Sequence, residues 1–100
     1  MQDNKKCNSL QEVRDEIDIL DRQLVELISK RSHLIRQAAT FKESIADVKA
    51  QERIDDIMQK VRTKAIELNI NPNMISQLFQ IMIDEMVETE IAEFRNGGNF

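Results

Sequence analysis

The chain has one cysteine, one proline, one histidine and two glycines, and neither tryptophan nor tyrosine. So few turn formers leave room for about two or three reversals of direction, which excludes a sandwich or barrel of many short strands. A lone cysteine cannot close an intramolecular disulfide or build a cysteine-based zinc site, and with one histidine beside it no metal site is expected. A chain so poor in cysteine suits a reducing compartment. No apolar run approaches the roughly 18 residues that a membrane span needs. Residues 1–9 are polar and lack the apolar centre of a signal peptide, so a cytoplasmic location without membrane contact is expected. What is present is 100 residues, 41% hydrophobic and 32% charged, the composition of one small soluble domain over 1–100 rather than of a disordered segment. A net charge of -4 argues against bulk attraction to nucleic acid or to an acidic membrane.

The apolar spacing predicts an all-α chain of one long and two shorter helices. Ser9 and Glu12 fit a capping box at the first helix start. Leu10, Val13, Ile17, Leu20, Leu24, Leu27, Leu34, Ala38, Phe41 and Ile45 then recur in steps of three and four, a heptad seam. With no Gly or Pro between them, one helix is expected over 10–46, about 55 Å long. A reversal over 43–49 follows, with Asp47 as N-cap of a second helix over 50–68. Asn71 before Pro72 marks the start of a third helix over 72–94, and Asn96-Gly97-Gly98 its end, beyond which the chain is expected to fray. Neither shorter helix is long enough to cover the seam of the first. An uncovered apolar stripe of that length is a binding surface, so a homo-oligomer is expected, most simply a twofold dimer pairing the long helix with its copy.

Three charged residues stand where this pattern asks for apolar ones. Arg31 falls on the seam between Leu27 and Leu34. In a continuous helix Lys42 lies eleven residues on, about 20° around, and shares its face. Glu90 lies on the apolar face of the third helix with Phe79 and Met86. The cluster is either a buried ion group that fixes register or a pocket for an anionic small molecule; one carboxylate cannot neutralise two cations, which favours the pocket. Arg14 precedes Arg31 by seventeen residues, about 25 Å along the helix. It cannot reach the same small ligand from the same chain, although in an antiparallel pair it could approach the Arg31 region of the other copy. His33 reads as a surface histidine and Cys7 as a small apolar plug at the helix entry. The methionines at helical spacing read as core.

Leu10-Gln-Glu-Val-Arg14, Ile17-Asp18, Leu20-Asp21, Lys30-Arg31, Phe41-Lys42, Glu52-Arg53, Leu78-Phe79 and Glu90 together resemble the all-helical chorismate mutases. The likeness covers residues 7–95, far more than a single motif. The Cys7-x-x-Leu10 start and the short connection over 42–52 look most like the branch that includes the isochorismate-pyruvate lyases of salicylate synthesis. The resemblance implies an intertwined homodimer with two equivalent sites and no cofactor or metal. It implies a dianionic substrate whose carboxylates meet Arg31 and, from the neighbouring subunit, Arg14. By the same likeness Lys42 contacts a carboxylate and the ether oxygen whose bond breaks, Glu90 donates to that oxygen, and Gln51 and Glu52 line the substrate.

The implied activity is rearrangement of chorismate to prephenate. This chemistry asks a protein only to hold the compact conformer and to stabilise negative charge on the ether oxygen. Elimination of pyruvate from isochorismate can use the same cations, and a lyase with weak mutase activity is the alternative, with a non-catalytic helical dimerisation module as the third reading. Many mutases of the family carry Arg where this chain has Gln51, an acid where it has Val48 and Ser where it has Met86; the lyase branch also lacks the arginine at 51. Whether Gln51 or Arg53 serves in its place stays open at this level.

Overall fold

The computed structural model describes residues 6–96. Four helices follow one another: α1 Leu10–Ala39, α2 Ile45–Val48, α3 Gln51–Glu67 and α4 Pro72–Arg95. Three are long, α2 is a single turn, and no strand occurs among the described residues. Contacts divide the chain into two compact units, one ending at His33 and the other beginning at Leu34.

The first unit holds most of α1. Its start is the expected capping box: Ser9 Oγ accepts from the Glu12 amide at 3.0 Å, and Glu12 Oε1 accepts from the Asn8 amide at 2.9 Å. The first bond satisfies an amide that the helix itself leaves open, the second ties down the residue before the cap, and the carboxylate sits at the positive end of the helix dipole. Beyond the cap the apolar seam is uncovered. Leu10, Val13, Ile17, Leu20, Leu24 and Leu27 are all exposed, as are Ile19, Val25 and Ile28 beside them. Cys7, expected as a plug, is part-buried at the rim of a shallow groove of about 520 Å³ with Val13, Ile17 and Leu20.

The second unit contains the core. Ile57 of α3 meets Ile83 and Met86 of α4, and Ile35, Ile54, Met58, Val61, Phe79 and Val87 pack around them. Ile83 is the most deeply buried of these, at 1% exposure. The turn between α3 and α4 is built by local bonding. Asn69 takes the left-handed conformation (φ 59°). The Asn69 and Ile70 amides donate to the Ile66 and Ala65 carbonyls at 3.1 and 2.9 Å, closing the end of α3. Asn71 Oδ1 then caps α4 through the Asn73 amide at 2.9 Å, with Pro72 in the first turn, as the Asn-Pro pair predicts. The expected stop of α4 is met by Asn96 as its C-cap; Gly97, Gly98 and the expected fraying lie outside the described residues.

Arg62 ties the two helices together in a way its sequence position does not announce. Its Nη1 donates to Ser76 Oγ at 2.7 Å, Asn73 Oδ1 at 3.1 Å and the Pro72 carbonyl at 3.2 Å. Two protons shared among three acceptors make this a pin across the mouth of the α3–α4 turn. Arg62→Ala is expected to cost about 1–3 kcal/mol by stranding part-buried acceptors. In a thermal melt that is a fall of about 4–8 °C per kcal/mol; an unchanged Tm would show that water replaces the pin.

The expectation of one helix over 10–46 is corrected. α1 ends at Ala39, and its 30 residues span about 45 Å. No Gly or Pro ends it. Instead the Thr40, Phe41 and Lys42 amides donate to the Gln37, Ala38 and Ala39 carbonyls at 3.1, 3.0 and 3.2 Å, tightening the last turn. Thr40 Oγ1 also donates to the Gln37 carbonyl at 2.7 Å, competing for an acceptor that a longer helix would use. Ser44 then restarts the chain by capping α2, accepting from the Asp47 amide at 3.2 Å. Asp47 is therefore not the N-cap of α3. That place belongs to Ala50, which makes no side-chain cap, while Asp47 Oδ2 accepts from the Glu43 amide at 3.0 Å. Val48, 2% exposed, anchors the turn as α2 packs on α4.

Candidate active site

Glu90 is the buried charged residue of the described chain, at 2% exposure on the face of α4 that also carries Ile83 and Met86. Burying a carboxylate among apolar side chains is costly unless it is paired or neutralised. Two features answer that cost here. Lys42 Nζ stands 3.8 Å from Glu90 Oε2, close enough for charge attraction but too long for a hydrogen bond. Burial also raises the Glu90 carboxyl above its ordinary value, and the nearby Lys42 charge draws it only part of the way back. Oε2 is left without a hydrogen-bond partner. A carboxyl can donate a hydrogen bond only in its protonated form, the form that burial favours. The pair thus sets a cation beside a carboxyl whose titration is shifted upward, with Oε2 making no hydrogen bond.

Lys42 reaches this position from outside the helices. The face it was expected to share with Arg31 presumes a helix that runs through residue 42; the chain leaves that helix after Ala39. The juxtaposition with Glu90 arises instead from the loop between α1 and α2. The Lys42 amide is tied to the Ala39 carbonyl at 3.2 Å, and Nζ donates to the Asp47 carbonyl at 3.4 Å. Its side chain is three-quarters covered.

The other residues singled out from sequence are placed differently. Arg14 and Arg31 belong to the first unit; Arg14 is exposed and Arg31 part-buried. Gln51 and Glu52 are exposed on the first turn of α3, where Gln51 Nε2 donates to Asp55 Oδ1 at 2.9 Å. Arg53 is held by Asp56 at 2.8 Å on the same solvated face. His33 is exposed, as its position beside the seam suggests. Ser44, which caps the loop under Lys42, falls in the expected reversal without a role of its own, and Asp47 is expected there as a cap for the wrong helix; the signal for their pairing is the Ser-x-x-Asp spacing, like that of Ser9 and Glu12. Among the described residues no group of three or more His, Cys, Asp or Glu could hold a metal ion, and no helix is long and apolar enough to cross a membrane.

Comparison with known proteins gives one family. The family model described as chorismate mutase type II matches residues 13–91. The bifunctional chorismate mutase/prephenate dehydratase of Buchnera aphidicola subsp. Acyrthosiphon pisum is 34% identical over 84 residues, 83% of this chain and 22% of that protein. The isochorismate pyruvate lyase of Pseudomonas aeruginosa is 25% identical over 95 residues, 95% of this chain and 94% of that one. The chorismate mutase of Methanocaldococcus jannaschii is 30% identical over 76 residues, 75% of this chain and 77% of that one. The chain spans about a quarter of the length of the bifunctional relatives it matches.

Proposed function

Because the chain belongs to the type II chorismate mutase family, we propose that it catalyses the cofactor-free rearrangement of chorismate to prephenate. The observation that carries this reading is the buried Glu90 carboxyl with Lys42 beside it. The reaction breaks one carbon–oxygen bond while a carbon–carbon bond forms, and negative charge grows on the ether oxygen in between. An ammonium and a neutral carboxyl aimed at that oxygen stabilise the transition state more than the ground state, in a site where little water screens them. The remaining task is to hold a flexible dianion in its reactive conformer. Arg31 and Arg14 take the two carboxylates, and Gln51 and Glu52 complete the binding surface. Arg14 comes from a second copy, so the active form is a homodimer. The exposed heptad row of α1 supports this: Leu10 is 62%, Leu20 57%, Leu24 56% and Leu27 60% exposed in the single chain.

Isochorismate-pyruvate lyase is the second reading. It is favoured by the lyase relative, which matches 95% of this chain and nearly its own full length, and by Gln51 at the position where the resemblance places an arginine in many mutases. Incubating the purified protein separately with chorismate and isochorismate decides between them. Prephenate formation is the expected result. Faster release of salicylate and pyruvate from isochorismate would make the lyase the principal activity, and turnover of neither by a folded protein would leave the helical dimerisation module. Leu24→Glu should yield monomers in sedimentation equilibrium and lose activity with them. A fully active monomer would overturn the shared site.

A further inference from the structure

Lys42 sits on a stretch of chain that belongs to no helix, yet the proposed reaction asks its ammonium to stay in place. A four-carbon side chain on a loop has wide rotamer freedom, so something must restrict both loop and side chain. The loop closes on itself through Asp47, which uses three polar groups at once. Its carboxylate accepts from the Glu43 amide at 3.0 Å, its amide donates to Ser44 Oγ at 3.2 Å, and its carbonyl accepts from Lys42 Nζ at 3.4 Å. The Val48 amide adds a bond to the Ser44 carbonyl at 3.4 Å, and the buried Val48 side chain fixes the closed loop where α2 packs on α4, the helix that carries Glu90.

We propose that Ser44 and Asp47 are positioning residues for Lys42: the Asp47 amide bound to Ser44 Oγ and the Asp47 carboxylate bound to the Glu43 amide hold the Asp47 carbonyl where it aims the ammonium at Glu90. The proposal rests on the mutase reading for its catalytic meaning, but its geometry stands apart from it. Neither side chain touches substrate in this view. Each acts through the fraction of time that Lys42 spends in its competent orientation. An amide oxygen at position 47 can still accept from Glu43, so Asn should serve where Ala cannot.

The test uses full-length variants in both the wild-type and Lys42→Ala backgrounds. Ser44→Ala and Asp47→Ala are each expected to lower kcat about tenfold, the worth of one well-placed hydrogen bond, with KM changing much less. Asp47→Asn should recover most of the loss. In the Lys42→Ala background Ser44→Ala and Asp47→Ala should have no further effect on kcat, because the residue they position is gone. Losses that persist undiminished without Lys42, or an Asn variant no better than Ala, would overturn the proposal. A second readout needs no substrate: acetylation of Lys42 by trace acetic anhydride, measured by mass spectrometry against the exposed Lys60 and Lys64. Faster labelling of Lys42 in Ser44→Ala and Asp47→Ala supports positioning, and unchanged labelling refutes it. If wild type turns over neither substrate, the mutase reading falls while the labelling result still decides this one.

Discussion

Lys42→Ala is expected to lower kcat/KM for chorismate by about 10²–10³-fold, the usual worth of one preorganised donor at a developing oxyanion. The residue supplies a full charge that is three-quarters covered by protein, and its Nζ lies 3.8 Å from the carboxyl that would share the work. Little of the loss should come from unfolding. Glu90 is already raised by burial, with Lys42 as the influence that lowers it. Without Lys42 the influence that lowers the carboxyl is gone, and it keeps its proton to higher pH. Circular dichroism melts at pH below the ordinary carboxylate value of 4.5, where the carboxyl is protonated in both proteins, should therefore stay within about 1–2 kcal/mol of wild type. Lys42→Arg retains the charge but replaces a point cation with a planar fork, and should recover only part of the rate. Full activity in Lys42→Ala would remove this residue from the site.

The second large effect is on the pH profile. Glu90 can donate to the ether oxygen only while protonated; ionised, it repels the charge that forms there. Its carboxyl is raised from an ordinary value of 4.5 by burial. A bound dianion pushes the same way, since it disfavours another negative charge. Wild-type activity should accordingly rise toward acid pH and fall about tenfold per pH unit on the alkaline side of the raised value. Glu90→Gln carries a permanent neutral donor of nearly the same shape. Its profile should be flat over that range, crossing above wild type at alkaline pH. Superimposable pH–rate curves for the two proteins would exclude Glu90 as the donor.

Stability follows the same titration. A group whose folded value is raised binds its proton more tightly in the folded state than in the unfolded chain. The contribution is fully present below the ordinary carboxylate value of 4.5 and is lost as pH rises through the folded value. Melts of Glu90→Gln and wild type should therefore converge near pH 4 and separate at pH 8, with the Gln variant the more stable. The carboxyl proposed to limit catalysis at high pH is expected to limit the fold there as well.

Much of the architecture was legible because the signals were local. Ser9 with Glu12 marks one helix start and Asn71 with Pro72 another, and each device acts within four residues of chain. The end of α1 was not legible, because the apolar period does not stop where the helix does. Phe41 and Ile45 continue the three-and-four spacing, yet Phe41 is 83% exposed in the loop. Periodicity records which residues could share a face; it is silent on whether competing hydrogen bonds have already ended the helix. Thr40 and the Ser44–Asp47 box supply that competition.

The site divides in the same manner. Glu90 could be read as buried from its spacing to Phe79 and Met86 alone. Its meeting with Lys42 was reached through a helical phase that the chain does not have. The positions of Gln51 and Arg53 depend on the partners available along α3. Asp55 and Asp56 engage them there, a choice that apolar spacing does not encode.

The orphan oxygen of Glu90 has a meaning for the history of such a chain. An apolar side chain at this position would avoid a buried acceptor without a donor and the titration that goes with it, and replacing buried charge by well-packed hydrophobe is often neutral or stabilising. Selection for a firm fold alone would have no reason to keep the carboxyl. A partner that offered an atom to this oxygen would supply the hydrogen bond that Lys42, at 3.8 Å, does not make. A buried polar atom kept at a cost to the fold is the exchange of stability for activity that functional sites make.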